Sequence, residues 1–347
     1  MASGETVPAR PQLVLVVDTG TDDAGALIWA ATDPRVDLVA VLVDWGNVGV
    51  ELTTANTLAV LHAAGADDVP VFKGAGKETA GKSPAKFDAS IVMGADGLNG
   101  VVLDAPDRGV EAETAAEALV RLASERPGEL TLVPVSPFTP VAAALELDPD
   151  LPSKLFDVVV MGGAIECGGN LTAVAEANVG NDPAAAAVMV EAFGKPGALA
   201  SGRTPKLVPL DATHIGTVGE HEMSLAARSS LVGSDALHEV WQASWEFAAL
   251  EPGDGLPVHD LLAAVCAVDP DVCEWQTMPL EVDDSGGPAW GMTVGDRRLA
   301  MIEASGMPAD DLARIVEMIQ FAEPRWQVAM GADVPRFRGF LDAWLEG

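Results

Sequence analysis

The sequence predicts an α/β fold, a mostly parallel open sheet flanked by helices, in a single domain. Three observations predict it. Short β-branched runs alternate with Ala/Leu-rich stretches from Leu13 onward, the order that builds strand–helix–strand units. Of the 347 residues, 49% are hydrophobic, enough for a large core. The polar segments Asp18, Asp44–Asn47, Ser136–Thr139 and Gly162–Asn170 each follow a predicted strand. In open α/β sheets, ligands sit beyond the carboxyl ends of the strands, so these segments are expected to meet on one rim.

Leu13–Val17 reads as the first strand because five apolar residues run unbroken. Ala24–Thr32 reads as a helix and Val36–Val43 as the next strand. "TTANTLAVLHAAGA" is helical and "VPVFKGA" is a short strand. The Gly/Lys-rich stretch Gly74–Lys86 reads as a surface loop. "TAAEALVRLASER" is a helix, "LTLVPV" a strand, "FTPVAAALELD" a helix and "LFDVVVMGGA" a strand. "DPAAAAVMVEAF" opens with Asp182 as N-cap and Pro183 in the first turn of a helix. "KLVPLDA" is a further strand, Glu281–Ala300 a late hairpin and Phe337–Leu345 a terminal helix. No internal repeat or low-complexity linker interrupts this order.

Charge and cysteines bound the function. Lys and Arg number 20 against 52 Asp and Glu, a formal net charge of −32. Such a surface repels nucleic acid and anionic membranes, so neither is an expected partner. Cys167, Cys266 and Cys273 have no metal-type spacing, and an odd, low count suits a reducing cytosol. "MASGETVPARPQ" lacks the apolar core of a signal peptide. No window approaches eighteen uninterrupted apolar residues. A cytoplasmic location is therefore expected.

The chemistry begins in "LVLVVDTGTDDAGALIWA". Asp18, Asp22 and Asp23 crowd the end of a buried strand. Like charges that close must be solvated, protonated or neutralised by a cation. One acid in a helix first turn needs no explanation beyond capping. Three converging at a strand–helix junction suit a hard cation such as Ca²⁺, which takes carboxylate and carbonyl oxygens in irregular geometry. "VVDTGT", with "DDSGG" around Asp284–Gly286, also looks like the paired loops of aspartic proteases. Against that stand the many Ala-rich helical segments, the absence of tyrosine for a flap, and the polar turn that already explains Asp284.

Other segments add polar groups. "GNLTAVAEANVGNDP" places Asn170, Glu176 and Asn178 in one loop. They suit a polar turn, and equally a grip on several sugar hydroxyls. "LPVHDLLAAVCAVD" sets His259 beside Asp260 at a helix start. Singly, the first reads as structural and the second as a cap. Trp45 sits beside Asn47. Trp241 and Trp245, four apart, would share one helical face, either packed in the core or walling a flat heterocycle.

Together these segments resemble the nucleoside hydrolase family, which cuts the N-glycosidic bond of nucleosides. Ten landmarks stand in order between about Leu13 and Arg298: "DTGTDDAGAL", "DWGNVGVELTTAN", "DVPVFKGA", "GADGLNGV", "LTLVPVSPFTPVAAAL", "VVVMGGA", "GGNLTAVAEANVGNDPAAA", "LVPLDATH", "PVHD" and "GMTV". The resemblance implies a Ca²⁺ ion held by Asp18, Asp23, Asp260 and the Thr139 backbone carbonyl. It implies ribose hydroxyls bound by Asp22, Asn47 and Asn178, and a 5′-hydroxyl gripped by Asn170 and Glu176. Asp18 would take the proton of a Ca²⁺-bound water, and His259 would protonate the leaving base. The substrate is then a small nucleoside, and a homodimer or homotetramer is expected. Residues 1–12 are expected to be disordered, 13–325 to form the catalytic domain, and 326–347 to be a helical extension packed on it.

Departures from the family's usual Asp-x-Asp-Pro-Gly-x-Asp-Asp string are Val16 for the first Asp and Thr19 for the Pro. Met93, Trp45, Pro140, Ala177 and Leu261 also depart from the common residues, several of them near the expected base pocket. Trp45 and Trp245 are read as base-pocket walls, which favours purine-type aglycones. A ribosyl-binding protein of the same fold without turnover is the alternative. Retention of Asp18, His259 and Asp260 favours the enzyme.

Overall fold

The computed structural model describes residues 10–79, 90–250, 254–318 and 325–347. Residues 1–9 of the expected N-terminal segment, and the Gly74–Lys86 loop from position 80, lie outside the described residues. Order is present by Arg10, whose guanidinium Nε donates to the Val36 carbonyl at 2.8 Å.

The strands in chain order are β1 (Gln12–Val17), β2 (Asp37–Val43), β3 (Val71–Lys73), β4 (Leu130–Pro134), β5 (Asp157–Met161) and β6 (Lys206–Val208). Then come β7 (Thr217–Val218), β8 (Leu256–Pro257), β9 (Cys273–Val282), β10 (Thr293–Gly295) and β11 (Arg325–Ala332). Nine of them form one sheet in the order β10-β9-β11-β6-β5-β4-β1-β2-β3, and β7 pairs with β8 in a separate ribbon. From β3 across to β11 every pairing is parallel, and only β9 runs against its neighbours. The expected mostly parallel sheet is what the chain forms.

Alternation along β1 divides the core. Leu13, Leu15 and Val17 enter one apolar cluster with the helices Thr21–Thr32, Ser234–Ser244, His259–Val265 and Val334–Glu346. Val14 and Val16 enter the other, with the helices Ala115–Glu125, Thr139–Leu147 and Pro183–Phe193. A strand segment buried on both faces must be apolar throughout, which is why Leu13–Val17, the buried part of β1, contains no polar residue. Asp182 caps its helix as expected, accepting from the Ala185 N–H at 3.1 Å.

The chain leaves β1 for β2 on one side and returns to β4 on the other. The crevice between β1 and β4 is therefore a topological switch point. It opens where Asp18 and the Ser136–Thr139 segment end their strands.

The tail differs from the expected helical extension. Arg325–Ala332 is strand β11, inserted between β9 and β6, and helix occupies only Val334–Glu346. "RWQVAMGA" carries the reason: Trp326 and Val328, two apart, both point into the core with no exposure, the period of a strand. The Trp326 indole also donates to the Val190 carbonyl at 3.1 Å. The late hairpin is present as β9 and β10. Trp326→Ala should cost about 3–5 kcal/mol of unfolding free energy, the usual result of emptying a buried aromatic site. Urea unfolding followed by circular dichroism checks this.

Candidate active site

Helix Thr21–Thr32 starts three residues earlier than its apolar stretch suggests, so Asp22 and Asp23 lie inside its first turn. Asp23 turns back on the chain: Oδ2 accepts from the Gly20 N–H at 2.9 Å and Oδ1 from the Asp18 N–H at 3.1 Å. It thereby caps the helix and fixes the β1 exit. The loop after β2 closes over Asp18, whose Oδ2 accepts from the Asn47 N–H at 2.6 Å. A Cβ on Gly46 would lie 2.1 Å from that same oxygen, so only glycine lets the loop come this close. The Asn47 amide also donates to Asp23 Oδ2 at 3.2 Å.

Asp260 arrives from the start of helix His259–Val265. Asp22, Asp23 and Asp260 each offer an oxygen within 4.8 Å of the others. Asp18 touches this group through Asp23. Asp18, Asp23 and Asp260 are all buried. Burial, then Asp23, pushes the Asp18 carboxyl well above the usual range. Burial, then Asp22, raises Asp23 to about 8. Burial again leads for Asp260, followed by Asp22, Asp23 and Asp18. The donor set contains only oxygen, and its members cannot all ionise cheaply without a cation. It fits a hard divalent ion.

Glu176 caps helix Ala177–Asn181. Its Oε1 accepts from the Asn178 N–H at 2.8 Å, and Oε2 from the N–H groups of Gly163 at 2.8 Å and Val179 at 3.1 Å. Burial raises this carboxyl, and the three donors oppose the shift. The Asn178 side-chain nitrogen donates to the carbonyls of Val135 and Met161, at the ends of β4 and β5. The Asn170 Oδ1 accepts from the Ala177 N–H at 2.9 Å. His259 Nδ1 lies 2.7 Å from Thr213 Oγ1.

A cavity of about 570 Å³ joins these groups. Asp18, Asp22, Asn47, Asn170, Glu176, Asn178, His259 and Asp260 line it. Asp23 sits behind the wall. Thr139 is not on the wall: its hydroxyl donates to Asp182 at 2.8 Å and accepts from the Trp45 indole at 3.2 Å.

Neither tryptophan expected to face the base lines this cavity. The Trp45 ring is turned onto Thr139. Trp245 lines a separate hollow with Glu220, Met223 and His238. The helix carrying Trp241 ends at Ser244, and Trp245 begins a 3-10 turn. Trp245, partly buried, packs against the same apolar cluster that contains Trp241. Trp241 packs in the core, and Ser244 reaches the cavity instead.

Sequence reasoning missed Cys167, Asn181, His214 and Phe247 on the wall. His214 stood in "LVPLDATH", just beyond a strand end, which was its available signal. Asp284 lies in the exposed turn between β9 and β10 and not on the wall, and the parallel sheet is not the fold of an aspartic protease.

A cavity walled by buried carboxylates and amides at a switch point is the site of a small-molecule enzyme. The chain belongs to the family described as inosine-uridine preferring nucleoside hydrolase, whose model matches residues 13–339, and it is a nucleoside hydrolase. It is 31% identical over 294 residues to the pyrimidine-specific ribonucleoside hydrolase RihB of Shigella flexneri, covering 83% of this chain and 88% of that one. It is 29% identical over 287 residues to uridine nucleosidase 1 of Arabidopsis thaliana, covering 82% of each. Among solved structures, a plant nucleoside hydrolase superposes with TM-score 0.82 at 27% identity, over 97% of this chain and 99% of that one. A purine-preferring ribonucleoside hydrolase from Gardnerella vaginalis gives 0.79 at 27% identity, over 97% and 98%. Among the described residues no helix is long and apolar enough to cross a membrane.

The raised carboxyls predict a pH dependence. Burial, then Asp22, pushes the Asp23 carboxyl from its ordinary value of 3.8 up to about 8 in the fold. Between those values the metal-free folded chain holds the extra proton. Its stability is therefore highest below about pH 4 with respect to this group, and is lost as pH rises towards 8. Thermal melts of chelated protein from pH 5 to 8 should show a falling Tm, less steep in Asp23→Asn. Ca²⁺ at 100 times its Kd should add about 2.7 kcal/mol at the upper end.

Proposed function

We propose that the cavity hydrolyses a ribonucleoside to ribose and free base, with Asp18 accepting a proton from water and His259 donating one to the leaving base. The observation that carries this reading is the meeting of Asp18, Asp22, Asp260, Glu176, Asn178 and His259 on one wall. Acids of both kinds are needed, and the environments differ between them.

Asp18 is held by one oxygen against the Asn47 N–H, which fixes the plane of its carboxylate. Burial raises its proton affinity, which suits a base that must act near neutral pH. Asp22 and Asn47 would take ribose hydroxyls, and Asn170 and Glu176, which line the same cavity, the 5′-hydroxyl. The Asn178 nitrogen is committed to strand-end carbonyls, so a sugar hydroxyl would meet its oxygen. As the glycosidic bond lengthens, positive charge grows on the ribose ring. The surrounding carboxylates and amide oxygens favour that charge. His259 then supplies the proton that lets the base leave neutral.

Ca²⁺ is the cation this oxygen-only donor set suits: Asp22, Asp23 and Asp260, whose oxygens lie within 4.8 Å of one another, would hold it beside Asp18, and the Thr139 carbonyl is the further ligand that the family resemblance implies. When bound it would lower the pKa of a water and offset the buried negative charge.

Hydrolysis of purine and pyrimidine ribonucleosides in Ca²⁺-containing buffer tests the reading. Release of reducing sugar from at least one substrate supports it. Tight binding of ribonucleosides without release would instead mark a binding protein. Asp18→Asn should lower kcat roughly 10²–10⁴-fold, the range of a lost general base, with a much smaller change in KM. Exhaustive chelation, verified by elemental analysis, should abolish turnover. Full activity in metal-stripped protein would contradict the cation's part.

A further inference from the structure

The "LVPLDATH" segment is adjacent to the site, yet no role above uses Leu210–His214. It follows β6 as a short helix, Leu210–Thr213, and it is tied down at every step. The Leu210 N–H donates to the Gly163 carbonyl at 2.9 Å. The Asp211 carboxylate accepts from three consecutive backbone N–H groups: Ile165 and Glu166 at 2.7 Å, and Cys167 at 3.2 Å. Gly163 donates in turn to Glu176. The segment is thus anchored to the loop that orients Glu176.

From this anchor Thr213, with no solvent exposure, directs its hydroxyl at His259 Nδ1, 2.7 Å away. The His214 ring lies edge-on to the His259 ring, with centroids 6.0 Å apart. We propose that Thr213 is a positioning residue: its hydroxyl accepts from His259 Nδ1–H, keeps one proton there, and leaves Nε2 to donate to the departing base. This rests on the reading of His259 as the leaving-group acid.

The proton balance follows. The C1′–N bond breaks and its electron pair stays on the base. The Nε2 proton of the imidazolium moves to a base nitrogen, leaving neutral imidazole with its remaining proton on Nδ1. Water oxygen bonds to C1′, and its proton goes to Asp18. A hydroxyl at Nδ1 can accept in both charge states of the ring, so the ring need not turn during the transfer. An orienting partner on the far nitrogen is how a histidine's working nitrogen is selected.

The test separates leaving-group assistance from packing. Thr213→Val keeps the shape and removes the hydroxyl. It should lower kcat on a ribonucleoside substrate at least about 10-fold, part of the roughly 10²–10⁴-fold a positioned acid supplies. It should leave 4-nitrophenyl riboside, whose phenolate departs without a proton, within about twofold. Thr213→Ser should restore nucleoside turnover. Equal losses on both substrates, or none on either, would overturn the assignment. His259→Ala, run beside it, should show the same split more strongly. If His259→Ala shows no split, the acid role of His259 fails; if it splits and Thr213→Val does not, the Thr213 proposal alone fails. Nitrogen-15 NMR of the wild-type imidazole gives a check that needs no variant to fold. A neutral His259 protonated on Nδ1 supports the proposal, and the Nε2–H form overturns it.

Discussion

Carboxylates withdrawn from water at one strand end are the constraint on which the rest of the site depends. Asp18, Asp23 and Asp260 are buried beside half-buried Asp22, and Asp18, Asp22 and Asp23 each raise the proton affinity of another member. Ionised together and dry, they would oppose folding. The fold tolerates them because backbone N–H groups of Asp18, Gly20 and Asn47 are aimed at their oxygens. What those donors leave uncompensated is negative charge facing a cavity. That residue of charge suits both a divalent cation and the positive character of a ribose ring losing its base.

The sheet delivers these groups without a long-range adjustment. β1 is apolar on both faces from Leu13 to Val17, so the next polar side chain, Asp18, emerges at the rim. β2 and β4 flank it, and their loops bring Asn47 and Thr139 to the same edge. Trp45 joins the two loops: its indole reaches Thr139, whose hydroxyl reaches Asp182. A residue that stands out in the sequence thus works beneath the wall, where it fixes the distance between loops. Glu176 shows the same economy. Its carboxylate caps a helix and binds the β5 loop, so the group that would hold a hydroxyl is rigid beforehand.

How much of this was legible depends on range. The parallel sheet, the capped helix at Asp182 and the late hairpin follow from local period and capping chemistry. The clustering of Asp18, Asp22 and Asp23 was legible because six residues cannot separate them. The meeting of Asn170, Glu176, Asn178, His259 and Asp260 on one cavity wall was legible only through resemblance and the strand-end rule. Strand β11 was missed because a helix follows it at once and its alternation spans eight residues. Where an indole points is not legible in the sequence: the Trp45 ring reaches Thr139 and Trp245 packs against the core cluster, so neither lines the cavity. His214 and Thr213 gave no periodic signal. Their place depends on Asp211 bonding to a loop more than forty residues away in sequence.

The central claim is that the cluster holds shared protons which a cation displaces. Calorimetric titration of metal-free protein with Ca²⁺ near pH 7, in buffers of different ionisation enthalpy, measures it directly. Metal binding at sites whose ligands must deprotonate releases protons. The account predicts saturable binding with net release of protons, shrinking as pH rises beyond the value of about 8 that Asp23 carries in the fold. Ca²⁺ binding with no proton release at pH 7, or no binding at all, would contradict it.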